Sequence, residues 1–419
     1  MNEENIYQLP KNWKRVKLGD VFTIERGGSP RPIEQYITKD PNGINWIKIG
    51  DTKGVSKYIT HTNEKIKREG LKKTRMVYDG DFILSNSMSF GRPYIMKTSG
   101  CIHDGWLVIR KNDNVDTDYL YYSLSSNAVY AQFSNLAKGS TVKNLNIDAV
   151  KQVSISLPPI AVQHAIVSKI EELFSEVEKG VEQLKIAQQQ LKTYRQAVLK
   201  WAFEGKFTND HVKDGTLPDG WKWETIANLT ENLDGKRVPL SREVRAGRKG
   251  IYRYYGATEI VDHIDDYIFD GEYLLIGEDG ANLLSKSRPL AFLVEGKFWV
   301  NNHAHVLLAK KQTLNKYLCY YFNSLDLAPF VTGTAQPKLT QGNLNKIKVP
   351  IGQIEEQLKI IGEIESRFSV ADKTEEAIVQ SLQQAETLRQ SILKTAFEGR
   401  LITTDKIETI RQSVDAIPA

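Results

Sequence analysis

Catalysis by this chain would need one of a few residue constellations, and each is incomplete in the sequence. No Gly-x-x-x-x-Gly-Lys-Ser/Thr run occurs, so ATP hydrolysis is not expected. Leu157-Pro158-Pro159-Ile160 has the two prolines of the tetrapeptide found in adenine methyltransferases, but neither its polar first member nor its aromatic last one. Glu204-Gly205-Lys206 and Glu295-Gly296-Lys297 copy the Glu-x-Lys end of a nuclease metal site, without a suitably spaced partner carboxylate. His303 and His305 alternate along an expected strand. They would hold a metal only if a third ligand arrived, so a structural pair or a base-facing polar row is expected instead. No catalytic residue and no metal site is expected.

Binding chemistry is better supplied. One stretch carries Lys65, Lys67, Arg68, Lys72, Lys73 and Arg75 against Glu64 and Glu69. A second carries Lys236, Arg237, Arg242, Arg245, Arg248 and Lys249 against Glu243 alone. Flexible cations along a surface suit phosphates, and arginine or amide side chains suit base edges in the major groove. A lone charge run is usually a solvated face, but here one occurs in each half of the chain. Two polar segments that follow expected strands add Ser87 and Arg92 (within Ser85–Arg92), and Asn282, Lys286 and Arg288 (from Gly277 onward). Loops on a rigid sheet are where recognition concentrates, although either segment would also serve as an ordinary turn.

The elements that must position these residues are written twice. From Gly139 to Lys206 the chain matches itself at an offset of 194: Leu145 onto Leu339, Gln163 onto Gln357, Phe174 onto Phe368, Arg195-Gln196 onto Arg389-Gln390. The match closes with Ala202-Phe203-Glu204-Gly205-Lys206 onto Ala396-Phe397-Glu398-Gly399-Arg400. Leu9-Pro10 with Trp13 returns as Leu217-Pro218 with Trp221, at an offset of 208. The offsets differ by 14, so the second unmatched block is that much shorter than the first. Two repeats are too few for a solenoid. A duplicated architecture of variable and constant blocks fits.

Each constant block reads as one long helix. Its first copy places Val167, Phe174, Val181, Gln188, Arg195 and Ala202 at heptad a, with Ile170, Val177, Leu184, Leu191 and Val198 at d. The second places Ile361, Phe368, Glu375, Leu382, Arg389 and Ala396 at a, with Ile364, Ala371, Ile378, Ala385 and Ile392 at d. Such spacing marks a helix packed along its length on another helix. Pro158-Pro159 suits the start of the first, and Gly205 and Gly399 suit left-handed caps. Each rod would be about 65 Å long, which exceeds the reach of a domain of about 150 residues. Antiparallel pairing of the rods, with the globular blocks carried toward opposite ends, is therefore expected.

The variable blocks, 11–158 and 218–350, hold short apolar runs such as Phe82-Ile83-Leu84 and Tyr273-Leu274-Leu275-Ile276, separated by turn signals. Tyr119–Leu124 and Tyr317–Phe322 suggest a short helix at the same place in each. The class is α+β. With 419 residues, 41% of them hydrophobic, and a net charge of +5, the chain suits a globular multidomain protein. Its charge permits a polyanionic partner without demanding one. Cys101 and Cys319 lack metal-site spacing and suit a reducing cytoplasm. No signal segment or membrane span is expected.

This layout resembles the specificity subunits of type I restriction–modification systems over essentially residues 9–402. The likeness is carried by the two Ala-Phe-Glu-Gly helix ends, Leu157-Pro158-Pro159-Ile160 with Gln163, and Leu9-Pro10 with Trp13. Gly277–Ala281 with Trp299–His305 is also similar to this family's target-recognition domains. The resemblance implies two α/β target-recognition domains, 1–158 and 218–350, and spacer helices within 159–206 and 351–402. A linker at 207–217 and a tail at 403–419 complete the chain. It further implies an antiparallel coiled coil with a pseudo-twofold internal repeat.

The expected partners are double-stranded DNA, two methyltransferase subunits and restriction–translocase subunits. S-adenosylmethionine, ATP and magnesium would belong to those partners, with no cofactor in this chain. Half-sites on one face of B-DNA lie about 34 Å apart, so the domains should overlap the rods' ends. One departure is Gly352-Gln353 where the first copy has Pro158-Pro159, for which a softer helix entry is expected. A recognition subunit for a fused methyltransferase–nuclease, or a coiled-coil adaptor binding proteins, would share parts of this pattern.

Overall fold

A computed structural model describes residues 9–55, 57–86, 90–137, 144–209, 211–213, 215–333 and 336–402. By contact the chain divides into two compact units. One runs to Leu184 and resumes at Gln380, and the other is Lys185–Val379.

Each unit holds one sheet domain whose two ends are tied together. Lys14–Lys17 pairs antiparallel with Ser154–Leu157, and Lys222–Thr225 with Lys348–Ile351. Between these ties the first domain builds two five-stranded sheets and the second two four-stranded sheets. Alternation along the central strands explains their continuous apolar sequences. Phe82, Leu84, Leu107 and Ile109 enter one core, while Ile83, Trp106 and Val108 enter another on the opposite face. In the second domain Leu274, Ile276 and Leu307 face one way, Leu275 and Val306 the other. Strands buried on both faces read as unbroken hydrophobic runs.

The two long helices, Ile160–Phe203 and Ile354–Phe397, have 44 residues each. Every a and d position of both heptad readings is buried or half-buried. Ile170, Val198, Ile364, Ile378 and Ile392 are buried, while Phe174, Val177, Leu184, Leu191, Phe368 and Leu382 are half-buried. That is what a two-helix seam leaves to solvent.

The direction of pairing is visible inside each unit. In the first, Val162, Ile166 and Ile170 share a cluster with Ile392, Leu393 and Ala396. Further along that helix, Phe174 lies under the Arg389 guanidinium at 5.2 Å, and Glu178 accepts from Arg389 at 3.3 Å. Later residues of one helix meet earlier residues of the other, so the pairing is antiparallel. In the second unit Arg195 lies over Phe368 at 5.2 Å and donates to Asp372 at 2.6 Å. These residues are related by the offset of 194, so the same contact is made twice with the helices exchanging roles, as in an isologous interface.

The domains grip the helices in the same reciprocal way. The Tyr119 hydroxyl donates to the Ser156 carbonyl and its ring packs on Phe397 at 5.3 Å. Tyr317 donates to the Pro350 carbonyl and packs on Phe203 at 5.2 Å. Tyr122 meets Phe174 edge-on, well inside the helix, so the first domain lies alongside the rod's end as expected. Gln163 and Gln357 are buried at the helix starts, where each side-chain NH2 donates to the carbonyl of the residue five positions before it, Pro158 and Gly352.

The repeated glycines end both helices in the left-handed region, Gly205 at φ +73° and Gly399 at φ +75°. A Cβ on Gly205 would lie 2.2 Å from Pro218, and one on Gly399 would lie 2.5 Å from Pro10. The Leu-Pro and Ala-Phe-Glu-Gly repeats are thus each other's packing partners. Gly352, where a softer helix entry is expected, leaves the second helix the same length as the first. A Cβ there would lie 2.5 Å from Trp221, whose indole N–H donates to Glu356 at 3.0 Å. Glycine makes room for that ring. Among the described residues no helix is long and apolar enough to cross a membrane.

Candidate nucleic-acid interface

The first basic stretch spans strand Glu64–Ile66, the 3-10 turn Arg68–Lys73 and strand Arg75–Val77. Ile66 and Gly70 point inward, which turns Lys67, Arg68, Lys72 and Lys73 outward. Lys65 donates to the Pro41 carbonyl at 2.6 Å, Lys73 to the Tyr36 hydroxyl at 3.0 Å, and Arg75 pairs with Glu25 at 3.3 Å. Lys67, Arg68 and Lys72 are exposed cations on a rigid edge.

In the neighbouring segment Ser87 lies outside the described residues. Arg92 is exposed, with its backbone N–H donating to Ser85 Oγ at 3.2 Å. Asn86, which sequence reasoning did not single out, is buried and joins two loops. Its amide donates to the Asp104 carbonyl and its own carbonyl accepts from Leu145.

The second basic stretch behaves differently. Arg237 is turned into the protein, where it donates to Glu278 at 2.7 Å and to the Ala304 carbonyl at 2.6 Å. Arg245 reaches Asp262 at 3.2 Å and lies over Tyr254. Arg248 reaches Asp265 at 2.8 Å and lies over Trp299. Lys249 donates to Asp262 at 2.6 Å and, with Arg245, holds that carboxyl at about 2. Only Glu243 opposes these cations in the local sequence. In the fold, strand Ile260–Ile264 and the turn after it bring acidic partners. Arg242, at the start of the short helix Arg242–Ala246, is exposed.

The candidates after Gly277 also turn largely to their own loop. The Asn282 side-chain oxygen accepts from the Arg288 N–H and the Ser287 hydroxyl. Lys286 is left-handed at φ +47°, and Arg288 pairs with Glu259 at 2.6 Å.

His303 and His305 do not alternate on one strand, because the strand begins at Ala304. His303 sits half-exposed in the preceding turn, with Nδ1 2.9 Å from Asp279. His305 is fully buried, between Asp234 at 2.5 Å and the Leu339 carbonyl at 2.7 Å. Asp234, Glu278 and His305 bring three ligand-type atoms within 4.8 Å of one another. The two carboxylates already hold the Arg237 guanidinium, and Glu278 also accepts from Lys338 at 3.0 Å. That donor set is an ion network stitching the strand ends Gly277 and Ala304 to the loop at 337–339. Burial alone would raise the Asp234 and Glu278 carboxyls. Asp234's bonds to His305 and the Val306 amide, and Glu278's to Arg237 and Lys338, hold both below the usual range.

Two unlike sheet domains thus carry exposed cations at their edges, each packed on the same repeated pair of helices. The chain belongs to the family of the type I restriction modification DNA specificity domain, whose model matches residues 10–186 and 218–384. It is similar to the type I restriction enzyme EcoDI specificity subunit of Escherichia coli, at 24% identity over 94% of this chain and 90% of that one. A putative type I restriction enzyme specificity subunit of Haemophilus influenzae is 33% identical over 140 residues, 33% of this chain and 35% of the relative.

Among solved structures, one from work on complex assembly and conformational transition of the type I R-M system matches with a TM-score of 0.72. Its sequence identity is 18%, over 94% of this chain and all of that one. The HsdS subunit from Thermoanaerobacter tengcongensis matches with a TM-score of 0.56 at 19% identity, over 95% and 99%.

Proposed function

We propose that the chain reads a bipartite DNA site, one half with each sheet domain, and that the paired helices set the number of unread bases between the halves. The reading rests on one observation above others. The Arg195–Phe368 and Arg389–Phe174 contacts repeat one helix-pairing geometry, while the domains gripping the helices differ in sheet size and loop chemistry. A constant frame carrying unlike heads suits a constant gap between unlike half-sites. The same helices would seat two adenine-N6 methyltransferase subunits, with restriction subunits joining that assembly. S-adenosylmethionine, ATP and magnesium would be bound by those partners. Lys67, Arg68, Lys72, Arg92 and Arg242 are the exposed cations best placed to meet phosphates.

The test adds one heptad to each long helix at equivalent positions and maps methylated adenines with the methyltransferase partner present. Seven residues lengthen a helix by about 10 Å, close to three base pairs at about 3.4 Å each. The gap should grow by about that number with both half-sites kept. Altered half-sites at an unchanged gap would overturn the ruler.

A further inference from the structure

The first domain contains an open cleft of about 800 Å³ that the basic stretches do not account for. Trp46, 2% exposed, forms part of its lining beside His103, with ring centroids 6.2 Å apart. The imidazole sits between two backbone N–H groups, Nδ1 2.7 Å from that of Gly105 and Nε2 3.2 Å from that of Ile49, and a neutral ring accepts from one of them at a time. Lys48 and Glu64 form a 2.5 Å pair on the wall, each a little over one-third exposed. Arg31 stands at the rim with its side chain 81% exposed, tethered to Asp104 at 3.4 Å. Ser29, at the base of the same loop, donates to Asp104 at 2.9 Å.

The loop that lines this cleft is braced by the first basic stretch. Lys73 bonds the Tyr36 hydroxyl, the Lys67 N–H donates to the Tyr36 carbonyl at 2.8 Å, and a Cβ on Gly70 would lie 3.6 Å from Pro30. Glu64 lines the cleft, and the run of Lys65, Lys67, Arg68 and Lys72 starts at the next residue. A phosphate pocket would gather one sign of charge. This cleft instead mixes Arg31 and Lys48 with Glu34 and Glu64, and base edges present donors and acceptors without net charge. The corresponding loop of the second domain carries Arg237, which is buried against Glu278.

We propose that the cleft reads base edges of duplex DNA for the first half-site, with Arg31 as principal reader and Lys48 and Glu64 as a donor–acceptor pair beside it. Lys67, Arg68 and Lys72 hold the flanking phosphates. The inference rests on the proposed reading of one half-site per domain.

The experiment uses the full chain with its methyltransferase subunits and selects binders from duplexes randomised in each half-site in turn. Arg31→Ala should weaken the preferred duplex about tenfold to a hundredfold, the range of one lost bidentate base contact. It should flatten preference at one position of one half-site and leave the other half-site unchanged. Arg31→Lys should fall between. Lys72→Ala should weaken all duplexes alike and lower the salt slope by about one. Glu64→Gln should shift preference at a neighbouring position of the same half-site. Intact half-site preferences in both Arg31→Ala and Glu64→Gln would overturn the assignment, as would loss of methyltransferase binding with base preference unchanged. If the unsubstituted complex preferred no sequence, the bipartite reading would fail and this inference with it.

Discussion

Arg237 and Arg242 stand five residues apart in one basic run, yet only Arg242 faces solvent. Arg237 holds Asp234 and Glu278 together in the interior, so acid that protonates either carboxyl should loosen the second domain. Both carboxyls sit below their ordinary range when folded. Their contribution to stability is complete above that range, about pH 4 in an unfolded chain, and is lost as pH falls through the folded values. Denaturant midpoints followed against pH should drop as acid passes below about pH 4. Glu278→Gln should flatten that drop and cost about 3 kcal/mol at neutral pH, because it leaves a buried guanidinium less well paired. A midpoint that did not move between pH 5 and 3 would show that the network carries no such role.

The basic residues were legible in the sequence, but their destinations were not. Asp262 and Asp265 neutralise the run from a strand that pairs back on it, and a count of local charge cannot see a partner delivered by the hairpin. The cleft at Arg31 was missed for a related reason. Its walls come from four separate stretches, at Ser29–Ile37, Trp46–Lys48, Glu64 and His103, and none is dense enough in any one residue type to stand out.

At the scale of elements, the helices were readable nearly to the residue, because heptad spacing and end glycines are local signals. The strand ties that close each domain were not, since Lys14–Lys17 and Ser154–Leu157 are far apart in the chain and only modestly apolar. The repeated glycines carry a testable consequence. Gly399 has φ +75°, and Pro10 occupies the space a Cβ would take. Gly399→Ala should cost about 2–4 kcal/mol, part from the left-handed backbone and part from the clash. Pairing it with Pro10→Gly removes the clash and should recover the second part, read as a coupling in denaturant unfolding. Strictly additive effects would mean that the ring and the helix end do not touch.

For the whole molecule, the reciprocal contacts determine what half of it can do. Phe174, Glu178 and Arg195 all lie on the first helix, so one copy of that helix carries both sides of the contact now made with the second. Tyr119 and Phe203 likewise belong to the first half, as do Pro10 and Gly205. A fragment ending near Lys206 can therefore satisfy every one of these pairings with a second copy of itself, Arg195 over the partner copy's aromatic ring and Phe203 against its tyrosine. Such a fragment should sediment as a dimer at micromolar concentration. Arg195→Ala should weaken that dimer about tenfold or more, since each dimer loses two cation–aromatic contacts worth about 0.5–1 kcal/mol apiece when exposed. Combined with methyltransferase, the dimer should methylate a palindrome built from one half-site, because both heads are then the same. A strictly monomeric fragment at high concentration would mean that the helices pair only because they share a chain.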